Sequence, residues 1–226
     1  DVVQSFPYKA VVHCAADRDN RLQLAAYHGE KTCVAANLVG GVQGCTYGCL
    51  GLGDCAAACR YGAIQIKNGL SVIDYDKCVG CKACANVCPR NIISMVPFKQ
   101  ERMLVIACSN KDRGPEVKAV CNLGCIGCTA CSRQANQVEM DGNLPVINYD
   151  QYEDVDQFAA AIDKCPRAVF EQVGKPTEAD LAATADEELP SPVQADFKTT
   201  VDDTEGEARV PLLVQERSAT SPQTRY

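Results

Sequence analysis

The chain has 226 residues and a net charge of −7, with 46% apolar residues but only 6% aromatic ones and no Trp. Such a poor supply of large side chains makes a thin core for this length, and small domains compensate with disulfides or metal; cysteine, at 16 residues, is the abundant candidate. No run approaches the roughly 18–20 apolar residues that span a bilayer, the longest being short stretches such as Met103-Leu104-Val105-Ile106-Ala107-Cys108, and Lys and Arg form no basic patch to hold nucleic acid.

Most of the cysteines lie between Cys45 and Cys131 in closely spaced groups. Neighbours in a Cys-x-x-Cys pattern are poorly placed to pair with distant partners and well placed to grip one metal centre, which argues against a disulfide scaffold. Residues 1–43 form an N-terminal segment with Cys14 and Cys33. His13, beside Cys14, is a conceivable ligand but reads as a satisfied core or surface residue. His28, before Gly29, reads as a turn residue.

Residues 44–98 read as a two-cluster module. Cys78-x2-Cys81-x2-Cys84-x3-Cys88-Pro89 is the bacterial ferredoxin run, in which three thiolates wrap one cubane and the Pro-flanked fourth reaches another. Upstream stands Cys45-x3-Cys49-x5-Cys55-x3-Cys59, again three plus one. The swapped arrangement predicts one [4Fe–4S] site at Cys45, Cys49, Cys55 and Cys88, and a second at Cys78, Cys81, Cys84 and Cys59. Zinc, which takes four ligands and commonly two Cys-x2-Cys pairs, fits this spacing poorly. Gly51-Leu52-Gly53-Asp54-Cys55-Ala56 matches G-x-G-x-x-A, but it lies in the cysteine loop without the strand a dinucleotide site needs. Between the loops, Gly69-Leu-Ser-Val-Ile-Asp-Tyr-Asp76 reads as a strand after a turn.

Residues 99–174 repeat this pattern. Asn143-Leu-Pro-Val-Ile-Asn-Tyr-Asp150 matches the strand just named, and Cys165-Pro166 matches Cys88-Pro89. Cys125-x2-Cys128-x2-Cys131 with Cys165 supplies a third cluster, whereas Ala135 stands where Cys59 would, and the counterpart of the Cys78–Cys84 loop is absent. In its place Val155, Phe158, Ala159 and Ile162 make a helical stripe that fills the vacated space. The remaining Cys14, Cys33, Cys108 and Cys121 suggest a fourth cluster, with buried free thiols as the plainer reading and Cys121 close enough to Cys125 to belong to the third site. Residues 175–226 carry 11 acidic against 5 basic residues and five prolines, and read as an extended or disordered acidic tail. The expected fold is α+β: tandem bacterial-ferredoxin-like modules of small β-hairpins and short helices, the second degenerate, followed by that tail.

Val12-His13-Cys14, Lys31-Thr32-Cys33, the loop from Gly44 to Cys55, Cys108-Ser-Asn-Lys-Asp-Arg-Gly and Val120-Cys-Asn-Leu-Gly-Cys-Ile-Gly-Cys128 resemble the B subunit of the Rnf complex over roughly residues 8–170. The resemblance implies an electron-carrying subunit of a membrane-bound ferredoxin:NAD oxidoreductase coupled to ion transport, met by reduced ferredoxin. It also implies flavin-bearing partner subunits and a place at the cytoplasmic face of the inner membrane, reached through partners or an anchor ahead of Asp1. The family pattern includes Cys14, Cys33, Cys108 and Cys121, which supports a fourth cluster. No acid–base or nucleophile constellation appears, so substrate chemistry is expected on other subunits. The alternatives are an Fe–S subunit of another oxidoreductase and a structural zinc protein.

Overall fold

The computed structural model describes residues 6–175 and the backbone of Thr224 and Arg225. The acidic tail expected at 175–226 therefore lies outside the described residues, except for Lys175 and that two-residue strand. The architecture is α+β, with short strands in four small sheets and helices of four to seven residues between them.

The chain opens with β1 (Tyr8–Val12), which pairs antiparallel with β4 (Ile93–Pro97) in the register Val12↔Ile93. The N-terminal segment is thereby tied into the same sheet system as residues 44–98. Between these strands come α1 (Cys33–Val39), α2 (Asp54–Ala57), the hairpin β2 (Ile64–Lys67) and β3 (Leu70–Ile73), and α3 (Ala83–Val87). The β2–β3 turn is Asn68-Gly69, both at positive φ, the two-residue turn whose twist matches that of its strands. Thr32 caps α1 by accepting from the Ala35 amide at 3.2 Å.

The second half follows the same plan. β5 (Arg102–Ile106) pairs antiparallel with β8 (Phe170–Gly174), Ile106 opposite Phe170. Between them lie α4 (Gly114–Val120), the hairpin β6 (Val138–Asp141) and β7 (Leu144–Ile147), and α5 (Ala159–Asp163). β9 (Thr224–Arg225) adds in parallel to β8. The correspondence extends to single hydrogen bonds: the His13 amide donates to Ile92 O and the Ala107 amide to Val169 O, both at 2.8 Å.

The core is one contiguous cluster. β5 is buried along Met103, Leu104, Val105 and Ile106, and Val11, Val96, Phe158 and Phe170 join it. Several cysteines belong to this core, among them Cys14, Cys49, Cys55 and Cys108. The segment before α5 differs in detail from the expected stripe. Val155–Phe158 is a 3₁₀ turn, so its inward face recurs every three residues, and Val155, Phe158 and Ala161 face in while Ala159 is exposed. Phe158 is fully buried and stacks on Tyr152 at 5.3 Å between centroids. Tyr152 Oη accepts from the Leu104 amide, and Tyr149 Oη donates to Leu104 O, each at 3.1 Å.

Candidate metal centres

The loop entering α3 carries Cys78 and Cys81, and α3 itself carries Cys84. Gly80 has φ +73, and a Cβ there would collide with the Tyr8 carbonyl, so glycine lets this loop lie against β1. Cys59, just beyond α2, comes back to the same place. Cys59, Cys78, Cys81 and Cys84 together line a cavity with Ala10 and Ile64. Cys81 is exposed and Cys84 buried. In the second half Cys125, Cys128, Cys131 and Cys165 line a cavity with Met140 and Val169, and here Cys128 is the exposed thiol.

Of the other eight cysteines, Cys14, Cys45, Cys108 and Cys121 line one further cavity. Cys33 lies at the start of α1, whose first amides are held by the Asp54 carboxylate: Cys33 N at 2.8 Å and Val34 N at 3.1 Å. That places Cys33 beside Cys55, which Cys88 also faces. Cys45 and Cys49 are separated by three residues that include Gly48, and Cys121 and Cys125 repeat this spacing with Gly124.

Burial dominates the acid–base behaviour of these thiols. It pushes Cys49 and Cys108 up to about 12, and Cys84, Cys121 and Cys125 up to about 11, with neighbouring cysteines adding like-charge repulsion. Thiolates here need a cation, and ligation to iron supplies it while releasing the proton. Local donors are already aimed at sulfur: Cys49 N to Cys14 Sγ at 3.5 Å, Cys125 N to Cys108 Sγ at 3.3 Å, Asn110 Nδ2 to Cys45 Sγ at 3.4 Å and Ala63 N to Cys59 Sγ at 3.4 Å. Such hydrogen bonds stabilise thiolate and tune an iron–sulfur potential. A tetrahedral zinc with 2.3 Å bonds would draw four sulfurs to roughly 3.8 Å of one another. Among the described residues no three metal-binding side chains converge on a single-ion site, and the thiols instead surround cavities.

Three arginines brace these loops. Arg90 donates to Asn37 Oδ1 at 3.0 Å and to Cys45 O at 2.7 Å, and Arg167 to Gly124 O at 3.1 Å and Cys121 O at 2.6 Å. Arg21, almost wholly buried, donates to Gly69 O at 2.8 Å, Ala16 O at 3.4 Å and Cys49 O. Sequence reading missed all three, as well as Asp54 and Asn110. The recurrence of Cys88-Pro89-Arg90 as Cys165-Pro166-Arg167 was the available signal for two of them. His13 has both ring nitrogens occupied, by Ile106 O at 2.7 Å and Ser94 Oγ at 2.6 Å. Burial lowers its pKa against the opposing effect of the Ile106 carbonyl. It does not offer a free nitrogen to metal.

Comparison with known proteins gives the class first. Residues 71–94 match the 4Fe-4S binding domain model. With these cysteine-lined cavities, the chain is a ferredoxin-type iron–sulfur protein that holds [4Fe–4S] clusters. It is 36% identical over 161 residues to the B subunit of the Na(+)-translocating ferredoxin:NAD(+) oxidoreductase complex of Acetobacterium woodii, covering 70% of this chain and 47% of the relative. It is 32% identical over 172 residues to the B subunit of the ion-translocating oxidoreductase complex of Methanosarcina acetivorans (74% and 62% covered). A third relative is the B subunit of the proton-translocating ferredoxin:NAD(+) oxidoreductase complex of Clostridium ljungdahlii, at 33% over 176 residues (76% and 61%). The chain thus spans about half to three-fifths of the length of these relatives, and over that length it is similar to the B subunits. Among the described residues no helix is long and apolar enough to cross a membrane.

Proposed function

We propose that the chain is a one-electron carrier built as two ferredoxin-like modules, 44–98 joined by the N-terminal segment and 99–174, and that it serves an Rnf-like ferredoxin:NAD oxidoreductase complex as the subunit that meets reduced ferredoxin. The observation that carries this reading is the pair of four-cysteine cavities, each with one thiol at the surface. Cys59, Cys78, Cys81 and Cys84 would hold one [4Fe–4S] cluster, and Cys125, Cys128, Cys131 and Cys165 another. The cluster supplies reversible one-electron chemistry when bound. The chain's own residues do the rest. Exposed Cys81 and Cys128 bring these two sites within reach of redox partners. Tyr149, Tyr152 and Phe158 plug the position where the second module has no further loop.

Low-potential donors of the ferredoxin kind and flavin-bearing subunits at the cytoplasmic face of a membrane are the partners this role requires. The names of two relatives, B subunits of ferredoxin:NAD(+) oxidoreductase complexes, support the ferredoxin partner and the assembly with other subunits. The alternative is an Fe–S subunit of a different oxidoreductase. Anaerobic affinity purification of the chain from its native host tests the choice. Co-isolation with flavin-bearing membrane subunits, and reoxidation of reduced ferredoxin by the isolated complex, are expected. Recovery with a soluble oxidoreductase and no membrane subunit would overturn the reading.

A further inference from the structure

Eight cysteines remain, and the two halves of the chain explain how they divide. Cys14 stands two residues past the end of β1, and Cys108 two residues past the end of β5. Each sulfur accepts from the amide of a cysteine in its own half, Cys49 N for Cys14 and Cys125 N for Cys108. Cys45 and Cys121 are likewise equivalent. Each carbonyl is held by the arginine after a Cys-Pro pair, Arg90 or Arg167, and each sulfur is faced by the amides of the following turn, Tyr47 and Gly48 or Leu123 and Gly124. The cavity that these four line is thus contributed equally by the two halves, one post-strand cysteine and one turn cysteine from each.

This register also locates a gap. If Cys45 matches Cys121, then Cys49 matches Cys125 and Cys55 matches Cys131, and the counterpart of Cys128 is Leu52. The first half therefore lacks a ligand in its own loop. The Cys33 thiol fills that place: the amides of Asp54, Leu52 and Gly53 face its sulfur, and the Asp54 carboxylate anchors the first turn of α1 there. Cys33 and Cys88 both face Cys55, and Arg90 ties the Cys88 side to α1 through Asn37.

We infer that Cys14, Cys45, Cys108 and Cys121 form one four-thiolate cluster site shared by the two halves, and that Cys33 joins Cys49, Cys55 and Cys88 at another, standing in for the cysteine absent at Leu52. The inference rests on the reading of the chain as a [4Fe–4S] carrier and fixes which thiol serves which cluster.

Iron and acid-labile sulfide counts on the full chain, purified anaerobically and reconstituted, test it without any activity assay. The unaltered chain is expected to hold about sixteen irons, four per cluster. Cys14→Ala/Cys45→Ala removes two ligands of one cluster and is expected to leave about twelve irons, whereas Cys14→Ala/Cys33→Ala strikes two clusters and leaves about eight. The reverse pair of counts would overturn the division. A second arm is a rescue. Cys33→Ala/Leu52→Cys restores a ligand at the register position and is expected to recover the full count and the wild-type electron paramagnetic resonance spectrum of the reduced protein. Failure to recover iron there overturns the Leu52 assignment, even if Cys33→Ala alone does not fold. Absence of sulfide from the unaltered chain would instead sink the cluster reading as a whole, an outcome distinct from either exchange.

Discussion

Arg21 offers the sharpest test of how the loops are held. It is 4% exposed, and its guanidinium reaches the carbonyls of Ala16, Cys49 and Gly69 with no carboxylate partner among the described residues, leaving Nε unpaired there. Those carbonyls belong to the Cys14 loop, the Cys49 loop and the β2–β3 turn, and Arg21 itself bridges to Cys121. Arg21→Met keeps most of the stem and deletes every donor. Two well-formed hydrogen bonds from a charged group contribute about 1.5–3 kcal/mol each, and relief of the guanidinium's own desolvation offsets part of this, so the net loss is about 2–4 kcal/mol. Arg21→Lys keeps the charge but cannot span the fork, and should lose about 1–2 kcal/mol. The two variants also separate charge from clamp: loss of a buried cation lowers the reduction potential of nearby clusters in Arg21→Met, and Arg21→Lys leaves it near its original value. Anaerobic guanidinium titration followed by visible iron–sulfur absorption reads the first effect, and redox titration reads the second. An Arg21→Lys protein that unfolds at the wild-type midpoint would refute the clamp.

Phe158→Ala empties a fully buried position stacked on Tyr152 and should cost about 3–5 kcal/mol, against less than about 1.5 kcal/mol for Phe158→Leu, measured by the same titration. Gly80→Ala combines left-handed backbone with a collision at the Tyr8 carbonyl, whereas Gly62→Ala has the backbone strain and open space around it; iron loading should fall in the first and persist in the second, at a stability cost of about 1 kcal/mol. Burial raises the Tyr149 phenol, with Tyr152 adding to it. Its stabilising effect is complete below the ordinary tyrosine range near about 10 and is lost as pH rises through that range, because the unfolded phenol ionises first. Tyr149→Phe should flatten the fall in unfolding midpoint between neutral and alkaline pH, and an unchanged slope would remove Tyr149 from the account.

The parts of the fold set by local chemistry were legible in the sequence. The Asn68-Gly69 turn, the matching strand in the second half and the ferredoxin run at Cys78–Cys88 each announce themselves through residues that few alternatives satisfy. The meeting of Cys14, Cys45, Cys108 and Cys121 around one cavity was not legible, because it brings together loops far apart in the chain. Spacing of three residues in Cys45–Cys49 reads as a loose version of the two-residue spacing, and it recurs at Cys121–Cys125. Cys33 was beyond reach for another reason: its neighbours Leu52, Gly53 and Asp54 are brought to it by the carboxylate of Asp54 capping α1, a long-range bond with no local signature. The stripe before α5 has a different period from the one its apolar residues suggest, since a 3₁₀ turn and an α-helix differ by one residue in which side chain turns inward.

The thin aromatic core and the raised thiols are two sides of one arrangement. Cys14, Cys49, Cys55, Cys84, Cys108, Cys121, Cys125 and Cys131 are themselves members of the contiguous core. Burial that places thiols there also makes them reluctant to ionise, so a chain without metal keeps them as neutral, weakly interacting groups around open cavities. Iron would reverse both effects at once, taking the protons off and joining loops that are distant in sequence, such as those of Cys59 and Cys84 or Cys131 and Cys165 in the proposed sites. Folding and loading are therefore one equilibrium in this chain. Its stability should fall with pH on the acid side through proton competition for sulfur, even where no carboxylate is lost. Arginines aimed at loop carbonyls, rather than at carboxylates, fit the same logic, because they fix the loops while leaving their positive charge to balance the anionic clusters.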